Sequence, residues 1–533
     1  MPGASRSSRF VIPAVLLSFA AVGLAAATPG SPMAAPALPG AGPSGPLTAL
    51  VRGLGLDTLT PEALGLFGWA ALIAATIVFS LALSRAWSGS VSVRAVVVVA
   101  VLLHVLVLLV PLLLSRDAYS YALYGRLVSE YDLNPYVARP LDVPGDPFLP
   151  VASSEWVGTS SLYGPVFVRL AAAVTSVAGS PAAEVAAFRV LAAVASMAAM
   201  LLVMAAARRG GSDRVAFAAM MIGWNPVVLF HAVGGAHNDA LVAAIVAGAV
   251  LLLQRRLDVA ATVALTIAAL IKAPAAVLLV VGIVAIVLRR PSRQRLGTFA
   301  LHAGAAAAVA LIVAVPFLQA ENPTLGLARL AAVQGWAAPA RLLARIGATV
   351  GPSLATGAKV VVAAALPWGM VMLFRRWSAD RDASTPTLLG WAALLTLLTA
   401  PLLNPWYVLL LVPLAWTLPD VGRRSAIAVC VLLSATMAVA ERGVAPSLWD
   451  ATVPIVHYGV APTLLLILVL VLLRLKRGLT EAEGRALRSA PSESKDVPGR
   501  SEGGDDGDAG PRGERQAEHV RGDAPDDRGG QPH

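Results

Sequence analysis

Charge is what this chain has least of. Only 14% of its 533 residues are Asp, Glu, Lys or Arg, against 57% hydrophobic. A soluble domain needs far more polar surface than that to cover its core. Cysteine occurs once, as Cys430, which excludes an intramolecular disulfide and any cysteine-based metal site. Carboxylates are also scarce: residues 478–533 hold thirteen of the 31, leaving eighteen in the first 477 positions. The groups able to do acid–base chemistry therefore form a short list. Residues 478–533 are rich in Gly, Pro, Asp, Glu and Arg, with few apolar residues, and read as a disordered tail. The net charge of +10 could point to nucleic acid, but no patch interleaves Lys or Arg with aromatics, so none is expected as a partner.

What the chain does have is apolar runs, each near the length that crosses a bilayer. They fall at 9–27, 64–84, 93–114, 184–207, 213–232, 237–254, 257–272, 274–289, 298–318, 355–374, 385–402, 405–418, 424–441 and 455–474. The expected fold is an all-α integral membrane protein, a polytopic bundle of 13 or 14 transmembrane helices. The first run has two readings, an N-terminal anchor over 1–28 or a signal-like segment, because LAAATPG resembles a small-residue cleavage site. A linker at 29–63 and a polytopic body at 64–477 follow.

Arginine orients the bundle. With the N-terminus inside, cytoplasmic loops collect 21 of the 33 Lys and Arg of the first 477 residues, including Arg208–Arg209, Arg255–Arg256, Arg289–Arg290 and Arg375–Arg376. The segment 162–179 is then a helix on or dipping into the outer face, since a further span would export those clusters. This scheme puts the tail inside and a long loop, 115–183, outside. Thirteen of the eighteen carboxylates share that outer side with GGAHNDA, Lys272–Pro274, LLNPWY and a turn at Trp449–Asp450.

The long loop opens with SRDAYSYALYGRL, where an apolar run, read as a helix, ends on Arg116–Asp117 and Tyr119, Tyr121 and Tyr124 follow. An interfacial aromatic belt accounts for the tyrosines. Against that, some seventy residues with repeated prolines make an ordered feature, and ordered long loops carry function. A carboxylate at the membrane surface can act as general base on a sugar hydroxyl. With a lipid phosphate as leaving group no partner acid is needed, only cationic or hydrogen-bonding groups for the departing phosphate. Arg116, Arg126 and Lys272 are candidates for that charge.

Each further motif has a structural and a functional reading. In GGAHNDA, Asn238 or Asp239 caps the next helix, or His237 and Asp239 contact substrate. No second cluster completes a metal site, so none is assigned. Lys272 snorkels to headgroups, or binds the donor phosphate. Asn404, Trp406 and Tyr407 are belt residues, or sugar-gripping groups. Tyr163, beside Gly164–Pro165, is a loop-shaping residue first and a substrate contact second. Arg341 and Arg345 share a helical face suited to anionic headgroups.

Taken in order and spacing, SRDAYSYALYGRL, NPYVARP, SSLYGPVF, NPVVLFHAVGGAHNDALVA, LIKAPAAVLL and LNPWYVLLL resemble the actinobacterial polyprenol-phosphate-mannose-dependent α-(1→6)-mannosyltransferases, members of the GT-C membrane glycosyltransferases. The resemblance covers roughly residues 60 to 475. It implies inverting transfer of mannose from polyprenyl phosphomannose to the 6-hydroxyl of a mannan or lipomannan acceptor, in lipomannan and lipoarabinomannan assembly. It also implies an essential Asp in the first large extracytoplasmic loop, a position Asp117 matches. A divalent-cation requirement stays open, because some enzymes of this class use one. Two rivals remain: another lipid-linked sugar as donor, and a lipid-linked sugar flippase or transporter. The second is disfavoured because the sequence shows no convincing internal repeat and its polar groups gather at one face.

Overall fold

The computed structural model describes residues 5–38, 47–320, 322, 324–327, 335, 337–379, 384–434, 436 and 445–489. Among them there is no strand, only an isolated bridge between Ala34 and Leu113. Helix α1 (Ser5–Ala27) and the short α2 (Thr48–Gly53) lead to α3 (Pro61–Trp87) and α4 (Val93–Leu109). Two helices, α5 (Asp117–Ser129) and α6 (Pro165–Val177), order the long loop. Then come α7 (Pro181–Arg209), α8 (Val215–Gly223, prolonged by a π turn at Val227–Val233), α9 (Asp239–Gln254), α10 (Asp258–Ile271), α11 (Ala276–Leu288) and α12 (Ser292–Ala314). The rest comprises α13 (Pro339–Ala348), α14 (Pro352–Ala379), α15 (Thr385–Thr399), 3₁₀ turns at Pro405–Leu410 and Val412–Thr417, α16 (Asp420–Ser434), α17 (Pro446–Pro454) and α18 (Ala461–Ser489).

Sequence chemistry explains the starts of several helices. Thr60, Ser92 and Ser180 each accept a hydrogen bond from the backbone N–H three residues on, and Pro61 and Pro181 pre-set the first turns of α3 and α7. Among the described residues seven helical stretches are long and apolar enough to cross a membrane by length and composition, including Pro61–Trp87, Pro181–Arg209 and Pro352–Ser378. The chain is thus an all-α polytopic membrane protein. Seven further apolar helices among the described residues have 10–17 residues. At 1.5 Å per residue these reach at most about 25 Å, short of a ~30 Å hydrocarbon core. α6, the segment expected not to span, is one of them.

Three local expectations need correction. The run at 93–114 does not finish as a helix on Arg116–Asp117. α4 stops at Leu109, ahead of Pro111, and the chain turns extended at Val110. Leu113 then donates to Gly234, Leu114 to Met33, and Ala35 to Leu112, so two distant segments pin this stretch. Asp117 begins the next helix instead of ending the previous one. Trp449–Asp450, expected as a turn, lies inside α17. The last helix runs past Gly478 to Ser489, and the remainder of the expected tail lies outside the described residues, as does the end of the 424–441 run.

The alternation of α9, α10 and α11 defines two ends of the bundle. Asp239 starts α9 and Lys272 follows α10, at one end; Gln254, Asp258 and Arg289 sit at the other. α9 has 16 residues, so the ends are about 24 Å apart.

Candidate active site

Asp117 is placed by the extended stretch before it. The Ser115 hydroxyl accepts the Asp117 N–H at 3.1 Å and caps α5. The carboxylate thus lies in the first turn, where the positive helix end favours a negative charge. Across from it, GGAHNDA forms a tight corner. A Cβ on Gly234 would lie 2.4 Å from the Phe230 carbonyl oxygen, and one on Gly235 2.5 Å from that of His231 and 2.9 Å from the His237 ring. Only glycine fits so close an approach. The corner turns His237 onto Asp117, with Nδ1 3.2 Å from Oδ2.

Around this pair the structure gathers residues from five separate motifs. Tyr121, one turn along α5, places its hydroxyl 3.5 Å from both Asp117 Oδ2 and His237 Nδ1, and accepts the Asn238 N–H at 3.4 Å. Tyr163, Phe167 and Phe188 wall the Tyr121 ring edge-on. The His237 ring stacks on Trp406, with centroids 3.6 Å apart and planes 14° from parallel. Tyr407 lies under the Lys272 ammonium, 4.3 Å from nitrogen to ring centroid, and Lys272 is ion-paired to Asp239. The Gly164 N–H bonds to Ile271 at 3.2 Å, which locks the Tyr163 turn against the end of α10.

Burial acts to raise the Asp117 pKa, but the hydrogen bond and charge of His237, the charge of Lys272 and the Ser115 hydroxyl outweigh it, so the net shift is downward. The group is a carboxylate, and its side chain keeps 21% exposure. Burial, then the charges of Asp117 and Asp239, hold the Tyr121 phenol well above its usual value, so it remains a neutral hydroxyl. Asn238 is buried, and neither Nδ2 nor Oδ1 of its amide has a hydrogen-bond partner among the described residues. Such an orphaned donor–acceptor pair costs about 1–3 kcal/mol per group.

Other candidates stand apart. Arg126 is held by carboxylates, its Nε 2.7 Å from Asp146 and its Nη1 2.9 Å from Glu184. Tyr119 donates to the Pro36 carbonyl at 2.5 Å, and Arg116 to that of Ala152 at 3.2 Å. Asn404 precedes the 3₁₀ turn that carries Trp406, and its carbonyl accepts the Tyr407 N–H at 3.1 Å. Sequence reasoning missed Ser115 and Asp146. The first had a signal, a Ser two residues before the Asp it caps. The second had none, because its role rests on Arg126 folding back onto it. Among the described residues no three His, Cys, Asp or Glu side chains gather in a metal-ligating group.

A helix-start carboxylate paired to an imidazole that stacks on an indole, with a second carboxylate–lysine pair close by, brings together groups able to do acid–base chemistry. The chain belongs to the family described as alpha-(1→6)-mannopyranosyltransferase, N-terminal domain, whose model matches residues 11–289. That match includes Asp117, His237, Asn238, Asp239 and Lys272 and ends before Asn404, Trp406 and Tyr407. The chain is 29% identical over 354 residues to alpha-(1→6)-mannopyranosyltransferase A of Mycobacterium tuberculosis, covering 61% of this chain and 66% of the relative. It is 30% identical over 169 residues to the protein of the same name in Corynebacterium glutamicum, covering 31% and 34%. The matches thus span just under two thirds of the first relative's length and a third of the second's.

Proposed function

We propose that this chain is a membrane mannosyltransferase that moves mannose from polyprenyl phosphomannose to the 6-hydroxyl of a mannan or lipomannan acceptor, inverting the anomeric carbon to give an α-(1→6) linkage. The observation that carries the reading is the ionised, part-exposed Asp117 at the start of α5, hydrogen-bonded to His237 within electrostatic reach of Lys272. Asp117 removes the proton from the acceptor hydroxyl as its oxygen attacks the anomeric carbon. The carbon–oxygen bond to phosphate breaks, and its electron pair leaves with polyprenyl phosphate.

His237 and Tyr121 both meet Oδ2, and Oδ1 is assigned to the acceptor hydroxyl. Lys272, with Asp239 as its resting counter-ion, supplies compact positive charge for the phosphate oxygens. The orphaned amide of Asn238 suits a sugar hydroxyl, which both donates and accepts. The Trp406 indole, with His237 on it, and the Tyr407 ring provide apolar faces for a pyranose.

The test is transfer from labelled polyprenyl phosphomannose to a short α-(1→6)-mannoside, in membranes carrying wild type or Asp117→Asn at matched expression. The variant is expected to lose ~10²- to 10⁴-fold in turnover while retaining donor binding, the range for removal of a general base. Turnover near wild type would remove Asp117 from catalysis. No transfer by the wild type would reject this donor–acceptor pair.

A further inference from the structure

A wide cavity lies away from Asp117, at the other end of the bundle. Its volume is about 1210 Å³, and among the described residues Arg209, Arg256, Arg289, Arg295 and Arg375 line it with no carboxylate beside them in the lining. It opens among the ends of α7, α9, α11 and α14 and the start of α15. Because Asp239 and Gln254 lie at opposite ends of α9, the cavity is about 24 Å from the candidate site.

Arginine at a helix C-terminus offsets the helix dipole, which explains one such residue per helix. It does not explain why they converge on shared open space. Among the described residues Asp258 reaches the lining arginines, and it is divided between Arg289 at 3.1 Å and Arg290 at 3.3 Å. Burial lowers the Arg289 pKa; Asp258 opposes this, and the Arg256 and Arg290 charges add to the lowering. Positive charge is therefore crowded there. Arg256 also occupies a left-handed position, φ +61°, just after α9, where glycine is usual. The Trp377 indole N–H, in the same lining, has no hydrogen-bond partner among the described residues. Guanidinium forks with an added N–H donor match the oxygens of a phosphate, which accept several charge-assisted bonds at once.

We propose that this arginine-lined cavity binds a phosphate-bearing ligand, at a site separate from that of the transferase reaction. The phosphate can belong to an anionic lipid headgroup or to a soluble phosphate compound. The proposal does not rest on the transferase reading.

The test uses the full-length chain in neutral-lipid nanodiscs, titrated with inorganic pyrophosphate and, separately, with dihexanoyl phosphatidic acid, with binding read by calorimetry. Wild type is expected to bind at least one probe, and Arg256→Gln with Arg295→Gln to weaken it about tenfold or more by removing two charge-assisted contacts. Trp377→Phe deletes one N–H and keeps the ring; it should weaken binding by a smaller factor, and it serves if the double variant fails to fold. Binding of the lipid alone assigns a headgroup as the source, and binding of pyrophosphate assigns a soluble one; either supports the site. Binding of neither probe, or unchanged affinity in the variants, overturns it.

Discussion

His237 does more for Asp117 than its place in GGAHNDA suggests. Its Nδ1 meets the carboxylate, its ring is clamped on Trp406, and two glycines fix its approach. On the proposed function it acts through Asp117, as a positioning residue, and two readouts should reveal that. Losing the orientation should cost up to ~10²-fold in kcat, the scale of a 1 Å misplacement. The pH profile should also move. The depressed Asp117 pKa keeps the carboxylate charged to low pH, so the acid limb of kcat/KM in wild type lies below the usual Asp value of about 3.9. Removing the hydrogen bond and charge of His237 raises that pKa, so His237→Ala should lose activity at higher pH than wild type. An unmoved acid limb would mean that His237 only packs.

Helix and loop architecture sets the next scale, and there the buried partners matter most. Asp146 has a fully buried carboxylate that accepts from Arg126 at 2.7 Å, Tyr131 at 3.0 Å and the Phe148 N–H at 2.9 Å. It ties α5 to the turns between α5 and α6, while Arg126 reaches on to Glu184 in α7. Asp146→Asn leaves Arg126 short of one counter-charge, a change expected to cost about 3 kcal/mol, as for a broken buried pair. It should appear as a lower unfolding temperature in detergent together with slower transfer. Asp142→Asn is the control: Asp142 pairs with Arg139 at 2.8 Å on the surface, both side chains exposed, and no measurable change is expected.

This scale also separates what could be read from the sequence from what could not. The helices follow from apolar runs and Ser, Thr and Pro at their starts, and all five motifs that meet at Asp117 were visible as polar islands beside apolar runs. Contacts between distant islands were not. Nothing local in SRDAYSYALYGRL shows that Arg126 faces Asp146 and Glu184, or that Tyr119 turns to Pro36, because those partners are chosen by tertiary packing. The break at Pro111 was legible in principle, yet the run of leucines on both sides of it hides the change from helix to extended chain.

At the scale of the whole molecule the two ends differ in chemistry. One end holds Asp117, His237, Asp239 and Lys272, and the other the arginine-lined cavity. Positive charge gathers on the cytoplasmic side of membrane proteins, so the Asp117 end is expected to face outward. Cysteine labelling can decide this, because Cys430 is buried and offers little background. Leu141, in the turns after α5, is 50% exposed, and Arg293, in the first turn of α12, is exposed near the arginine end. Leu141→Cys should react with a membrane-impermeant maleimide in intact cells, and Arg293→Cys only after lysis. The reverse pattern would put Asp117 on the cytoplasmic face and would require a donor sugar presented there. Labelling of both sites in intact cells would mean that a single orientation fails, and with it the arginine rule for this chain.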